Sequence, residues 1–143
     1  MKDQNYKNHT QIVLTYHVLT GLSIVALIIG AVRNVFEGDG DDDLYNATLI
    51  VLIALILVSF YIHTRRFALK AQDRAIRAEE ALRHYALTGK LFDSRLNLKQ
   101  IIALRFASDE EFVDLVEKAV TQNLKPNEIK QQIKNWRGDD HRV

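Results

Sequence analysis

The chain has 143 residues, no cysteine, one proline and one tryptophan. Without cysteine there is no disulfide, no thiolate nucleophile and no Cys-type zinc site. With its single proline at position 126, nothing of that kind interrupts a helix anywhere upstream. No glycine-rich phosphate loop, no nucleophile elbow and no His/Asp/Glu set at metal-ligand spacing occurs. The histidines at 9, 17, 63, 84 and 141 are scattered. His63 and His84 stand too far apart on one helix to share a metal. The sequence therefore points away from an enzyme and calls for no metal and no cofactor. The most telling absence is of charge, because residues 12–32 and 44–62 contain none.

A helix rises about 1.5 Å per residue, so the first run spans roughly 31 Å. The hydrocarbon core of a bilayer is about 30 Å thick. Both runs are long enough to cross it, the second with little to spare. The remaining chain is too polar to cover two helices that are apolar on every side. The expected fold is all-α: a transmembrane helical hairpin whose second span extends into a long cytoplasmic helix, followed by a small three-helix C-terminal region. The expected divisions are an N-terminal cytoplasmic segment at 1–11, spans at 12–32 and 44–62, an acidic external loop at 33–43, a helical extension at 63–88 and a helical domain at 89–143. The other reading of the first run is a cleaved signal peptide, with IGA at 29–31 as its cleavage site. Its apolar core exceeds the usual roughly 7–15 residues, and the preceding Lys2 and Lys7 are sparse.

Lys and Arg near the spans set orientation, whereas Asp and Glu contribute little. Lys2 and Lys7 precede the first span, and Arg65, Arg66, Lys70, Arg74 and Arg77 follow the second. The loop carries only Arg33. Both termini are thus expected in the cytoplasm of a cell whose inner membrane the chain crosses twice. The acidic loop fits the outer side. Asp39, Asp41 and Asp43 alternate as at the start of an EF-hand, but Leu44 stands where glycine is needed and no Glu closes the loop. A solvated turn, with Gly38 and Gly40 supplying the bend, accounts for the stretch.

A transport path shows as ionisable residues within the bilayer. The spans offer Thr15, Tyr16, His17, Thr20 and Ser23, then Asn46, Thr48 and Ser59. His17 lies near the cytoplasmic end without a second titratable group at its depth, so a neutral histidine bonded to a partner or reaching interfacial water is expected. Tyr16, Tyr45 and Tyr61 sit where an aromatic belt would. Ala26 and Gly30 make a small-xxx-small pair that permits close helix contact.

Residues 62–87 lack Gly and Pro and are rich in alanine, which favours helix. Asp73–Arg77 and Glu79–Arg83 have the i, i+4 spacing of helix-stabilising pairs. Ala68, Ala71, Ala75, Ala78, Leu82 and Tyr85 form a narrow stripe at spacings of three and four, a seam for another helix of this chain or of a second copy. Arg65, Arg66, Lys70, Arg74 and Arg77 form a juxtamembrane basic cluster suited to lipid headgroups. No reading helix or stacking aromatics accompany it, so nucleic acid is not an expected partner. Gly89 fits a helix stop. Three short helices follow, opened by capping boxes at Asn97–Gln100 and Ser108–Glu111 and by Pro126 in a first turn. They read as LKQIIALRFA, DEEFVDLVEKAVTQN and PNEIKQQIKNW. Their apolar positions are Ile101, Ile102, Leu104 and Phe106, then Phe112, Val113, Leu115, Val116, Ala119 and Val120, then Ile129, Ile133 and Trp136. The core is thin for its size and is expected to lean on the preceding long helix, with Trp136 as an anchor.

QNYKNH at 4–9, Tyr16-His17, QDRAIRAEEALR at 72–83, LTGK at 87–90, ALRFASDEE at 103–111, and IKNW at 133–136 with Arg142-Val143 carry a resemblance. Over its whole length the chain resembles a family of short bacterial two-span membrane proteins classed as a domain of unknown function. The resemblance implies bacterial origin and two spans, and it brings no activity, ligand or catalytic residue. The tail departs from it, with GDDH at 138–141 where a Pro-Asp-Tyr-like stretch is usual. Some members carry transporter-permease names, which two spans without polar lining do not support here.

The function expected is that of a non-enzymatic membrane protein. Its cytoplasmic helical domain would bind a second copy or another membrane or cytoplasmic protein. The alternatives are an accessory subunit of a transporter, a small oligomeric pore, or a sensor of anionic lipid through residues 65–77.

Overall fold

The scarcity of proline and glycine is matched by a chain built of helices. The computed structural model describes residues 4–9, 12–37 and 40–139. Lys2, Gly38, Asp39 and the tail from Asp140 through Arg142-Val143, with His141, lie outside the described residues, as does the side chain of Asp41. A π-helical stretch, Thr15–Thr20, runs into α1 (Gly21–Glu37). Then come α2 (Asp41–Thr88), α3 (Leu98–Leu104), α4 (Asp109–Thr121) and α5 (Pro126–Gln132). Among the described residues there is no strand, only an isolated antiparallel bridge between Ala107 and Trp136.

The helices reach further into the acidic stretch than the expected 33–43 connector allows. Arg33 bonds Glu37 at 2.8 Å one turn on, which holds the end of α1. Asp42 and Asp43 stand in the first turn of α2, where the helix dipole favours negative charge. α2 continues without a break for 48 residues, as the absence of breakers beyond residue 62 led one to expect.

Contacts divide the chain into two units, 11–67 and 68–143, the second joined by the N-terminal ten residues. In the first unit, Tyr16 stacks on Tyr61 with ring centroids 4.6 Å apart. Its hydroxyl donates to the Tyr61 carbonyl. A Cβ at Gly21 would stand 3.5 Å from the Tyr61 hydroxyl, an ordinary contact, so this approach does not depend on glycine there. Ala31, Ala47 and Ala54 are buried, whereas Ala26 and Gly30 are exposed. Within one chain, the small residues that are buried are therefore others than the pair that the spacing singled out. His17 is tied to its own first turn, with Nδ1 2.9 Å from the Val13 carbonyl.

The second unit has the apolar core. Phe106, Phe112, Leu104 and Ile129 are its largest fully buried side chains. Leu96, Ile101, Leu115, Val116, Ala119 and Ile133 complete it, and Phe92, Val113, Val120 and Trp136 pack against it. Trp136 stacks on Phe106 at 5.1 Å. From α2, Ile76, Glu80 and His84 are buried, so the short helices do lean on the long one.

The local caps are mixed. Asn97 and Gln100 form the full box, with bonds of 3.0 and 2.9 Å. Gly89 has φ +68° and ends α2. Pro126 opens α5, and Glu128 accepts the Lys125 N–H at 2.7 Å. The Ser108–Glu111 box does not form, although Ser108 is the N-cap of α4. Glu111 instead accepts the N–H groups of Lys134 and Asn135 at 3.1 and 3.0 Å. That same interaction ends α5 at Gln132, four residues before the expected Trp136. The two N–H groups bond a side chain rather than carbonyls one turn back. Arg137 N–H then donates to the Phe106 carbonyl at 2.7 Å and Ser108 N–H to Asn135 at 3.1 Å.

Candidate functional site

From residue 66 to 88, α2 presents three faces, set by the 3.6-residue repeat. The inward face carries Ile76, Glu80 and His84, with Arg83 at its edge. Arg83 donates to Glu80 at 3.0 Å, to Asp109 at 2.6 Å and to the Ala107 carbonyl at 2.8 Å. Its guanidinium lies 4.1 Å above the Phe112 ring. All of its planar fork is thereby used, as suits an arginine that is mostly buried. The expected Glu79–Arg83 pair is displaced by this network, and the expected Asp73–Arg77 pair is not closed. His84 Nδ1 donates to the Lys90 carbonyl at 2.9 Å, and its ring lies 4.7 Å from Phe92. It is a satisfied core histidine.

The second face is the alanine seam. Ala71, Ala75 and Ala78 are exposed, Ala68 is half-buried, and Leu82 and Tyr85 are 69% and 53% exposed. The other described residues leave the seam uncovered. The seam was a candidate for either an internal or an external contact, and within the chain the packing role goes to Ile76, Glu80 and His84.

The third face is basic. Arg66, Lys70, Arg74 and Arg77 are exposed and line one side of the helix by their spacing of four, four and three. Arg65 leaves this row: it is half-buried and lies 5.9 Å from the Tyr16 ring. The five cations of the sequence thus form a stripe of four and a separate arginine.

The N-terminal segment was expected only to precede a span, but it packs on the second unit. Gln4 and Asp139 exchange bonds of 3.0 and 3.3 Å. His9 lies against the stacked Phe106–Trp136 pair, 5.9 and 5.8 Å from the two rings. Its Nε2 is 3.0 Å from Lys130 Nζ. Tyr6 accepts from Gln131 at 3.3 Å. Four of the stretches that carry the resemblance (4–9, 72–83, 103–111 and 133–136) meet here. Nothing in their separate spacings signals the convergence.

A polar cleft of about 260 Å³ opens beside the seam, with Glu79 and Glu80 on one wall and Arg105, Arg137 and Asp139 on the other. Arg105 pairs with Asp139 at 3.1 Å and lies 4.6 Å from the Phe106 ring. Glu80 is likewise held, by Arg83 at 3.0 Å. Among the described residues no three His, Asp or Glu side chains are grouped to hold a metal.

The chemistry visible in this unit is that of helix packing and charged surface. Neither a curated protein nor a solved structure matches the chain. One family model matches residues 1–143. The chain belongs to that family, a family of unknown function designated DUF6526.

Proposed function

We propose that the protein is held in a bacterial inner membrane by α1 and the apolar half of α2, arranged as a hairpin. Both ends then lie in the cytoplasm, and the helical unit after residue 68 serves as a non-enzymatic association module. The carrying observation is the exposure of the apolar helices. Only 6% and 11% of their most apolar 18-residue windows are buried within the chain. Leu19, Leu22, Val25 and Ile29 of the first, and Leu52, Ile53, Leu55 and Ile56 of the second, are 46–65% exposed. Leaving such side chains half in water costs about 1 kcal/mol each. Over both helices that rivals the roughly 5–15 kcal/mol by which a domain is stable. A core helix of a soluble protein would have these side chains covered. Lipid removes the cost, and the charge asymmetry between the loop and the ends supports the orientation.

Fractionation and labelling test this. The chain should stay with membranes after an alkaline carbonate wash. Because it has no cysteine, single cysteines report cleanly. Gly40→Cys should react with a membrane-impermeant maleimide in cells with an opened outer envelope, and Asn135→Cys only after the inner membrane is permeabilised. Recovery in the soluble fraction overturns the membrane reading, and the opposite labelling pattern overturns the orientation.

A further inference from the structure

We propose that a second copy of this chain docks in parallel on the exposed face from Ala68 to Tyr85, with Arg74 of each helix paired to Glu79 of the other. The proposal deepens the association reading above and rests on it. Ala68, Ala75 and Leu82 recur every seven residues, as do Ala71, Ala78 and Tyr85. These are the a and d positions of a heptad, the positions that form a two-helix seam. The small side chains permit the two backbones to come close, and the exposed Leu82 and Tyr85 close one end of the contact.

Charge selects the occupant and its direction. In this register Arg74 falls at a g position and Glu79 at the following e position, where parallel helices place a g residue against the partner's e residue. Both side chains belong to exposed residues. Among the described residues neither side chain has an ion-pair partner, and Arg83, one turn beyond Glu79, is held by Glu80 and Asp109 instead. A twofold axis makes the pairing reciprocal, so one sequence supplies both ion pairs. In an antiparallel copy centred on the seam g faces g and e faces e, so Arg74 would meet Ala81 and Glu79 would meet Gln72, and neither ion pair would form. A parallel arrangement is also the one that two copies crossing a membrane in the same orientation adopt. The packed face of Ile76, Glu80 and His84 lies across the helix from the seam, so docking does not compete with the unit's own core.

Cysteine crosslinking of the full chain in its native membrane tests the proposal. Ala71→Cys and Ala78→Cys bring like positions of two copies within disulfide range in a parallel pair, whose Cα separation must be about 4.4–6.8 Å. Mild oxidation should therefore give a covalent dimer from each, and at least tenfold less from Arg77→Cys. Arg74→Glu in the Ala78→Cys background should cut the yield severalfold, and adding Glu79→Arg should restore it. Crosslinking no greater than at Arg77→Cys overturns the seam. Preferential crosslinking of Ala71→Cys to Leu82→Cys in co-expressed chains overturns the parallel direction. An unchanged yield with Arg74→Glu overturns the register. The membrane fraction of the same cells is assayed separately. A membrane-bound chain that does not crosslink removes this proposal and leaves the membrane reading, and a soluble chain that crosslinks does the reverse.

Discussion

Arg83 of α2 reaches Asp109, at the start of α4, across 26 residues of chain at 2.6 Å, and lies face-on over Phe112 at 4.1 Å. This one side chain ties the long helix to the small core and neutralises Glu80, whose side chain is only 8% exposed. Replacing Arg83 with Met keeps much of the stem packing and strands the Glu80 carboxylate. Removing one partner of a buried pair costs about 3–5 kcal/mol. Thermal unfolding of the detergent-solubilised chain should register a loss of that order for Arg83→Met. Adding Glu80→Leu should recover most of it. Glu79→Ala, on the exposed side, should leave unfolding within about 0.5 kcal/mol of the parent.

The N-terminal segment is fastened by aromatic as well as polar contacts. His9 touches both Phe106 and Trp136, and an aromatic pair of this kind contributes about 0.5–1.5 kcal/mol beyond its buried area. His9→Ala should release residues 4–9. Trp136 is the sole tryptophan, so its fluorescence reports the change directly. Its emission should shift to longer wavelength, and amide exchange at 4–9 should quicken while the exchange of α4 stays as it was. An unmoved Trp136 emission would show that the segment is held elsewhere.

What was legible in the sequence divides by distance along the chain. The Asn97–Gln100 box, the stop at Gly89 and the start at Pro126 each depend on residues within four positions, so local chemistry decides them. The long α2 and the apolar runs depend on composition, which is also local. Glu111 looks like half of a capping box by the same logic. It is drawn off by Lys134 and Asn135, 23 and 24 residues away. Arg83 is drawn off in the same way by Asp109. The segment 4–9 finds its partners at 130–139, more than 120 residues on. Tertiary competition of this kind leaves no trace in spacing. The alanine seam was visible as a stripe, but whether this chain covered it depended on which neighbouring face the core claimed.

The turn before α3 carries the clearest perturbed group. The Arg95 guanidinium bonds Asp93, and the Arg95 N–H also donates to it. Together they hold the Asp93 carboxyl down at about 2, from an ordinary 3.8. A carboxyl lowered on folding lends the turn support that is fully present above the ordinary value and is lost as pH falls through the folded one. Residues 93–96 should therefore stay ordered at pH 4 and loosen between about pH 4 and 2. Arg95→Gln should return the Asp93 titration to the ordinary carboxylate range. Carboxyl chemical shifts followed by NMR would read both, and an Asp93 midpoint still near 2 in Arg95→Gln would contradict the assignment.

The basic face of α2 makes a separate claim on the membrane surface. Arg66, Lys70, Arg74 and Arg77 are exposed along one side of the helix, while Arg65 turns toward Tyr16. If the apolar half of α2 is in lipid, the first of these cations stand at the headgroups. Each is worth about 1 kcal/mol against an anionic leaflet, an attraction that falls away within about 10 Å at 0.1 M salt. The effect should therefore grade along the helix. Arg66→Gln and Lys70→Gln together should lower the anionic lipid retained on the purified protein severalfold, as read by native mass spectrometry. Arg77→Gln, 11 residues beyond Arg66 and roughly 16 Å further along the axis, should change it little. Arg65→Gln should act on the Tyr16 contact rather than on lipid. Equal losses at all four positions would mean that the stripe lies flat on the surface instead of leaving it.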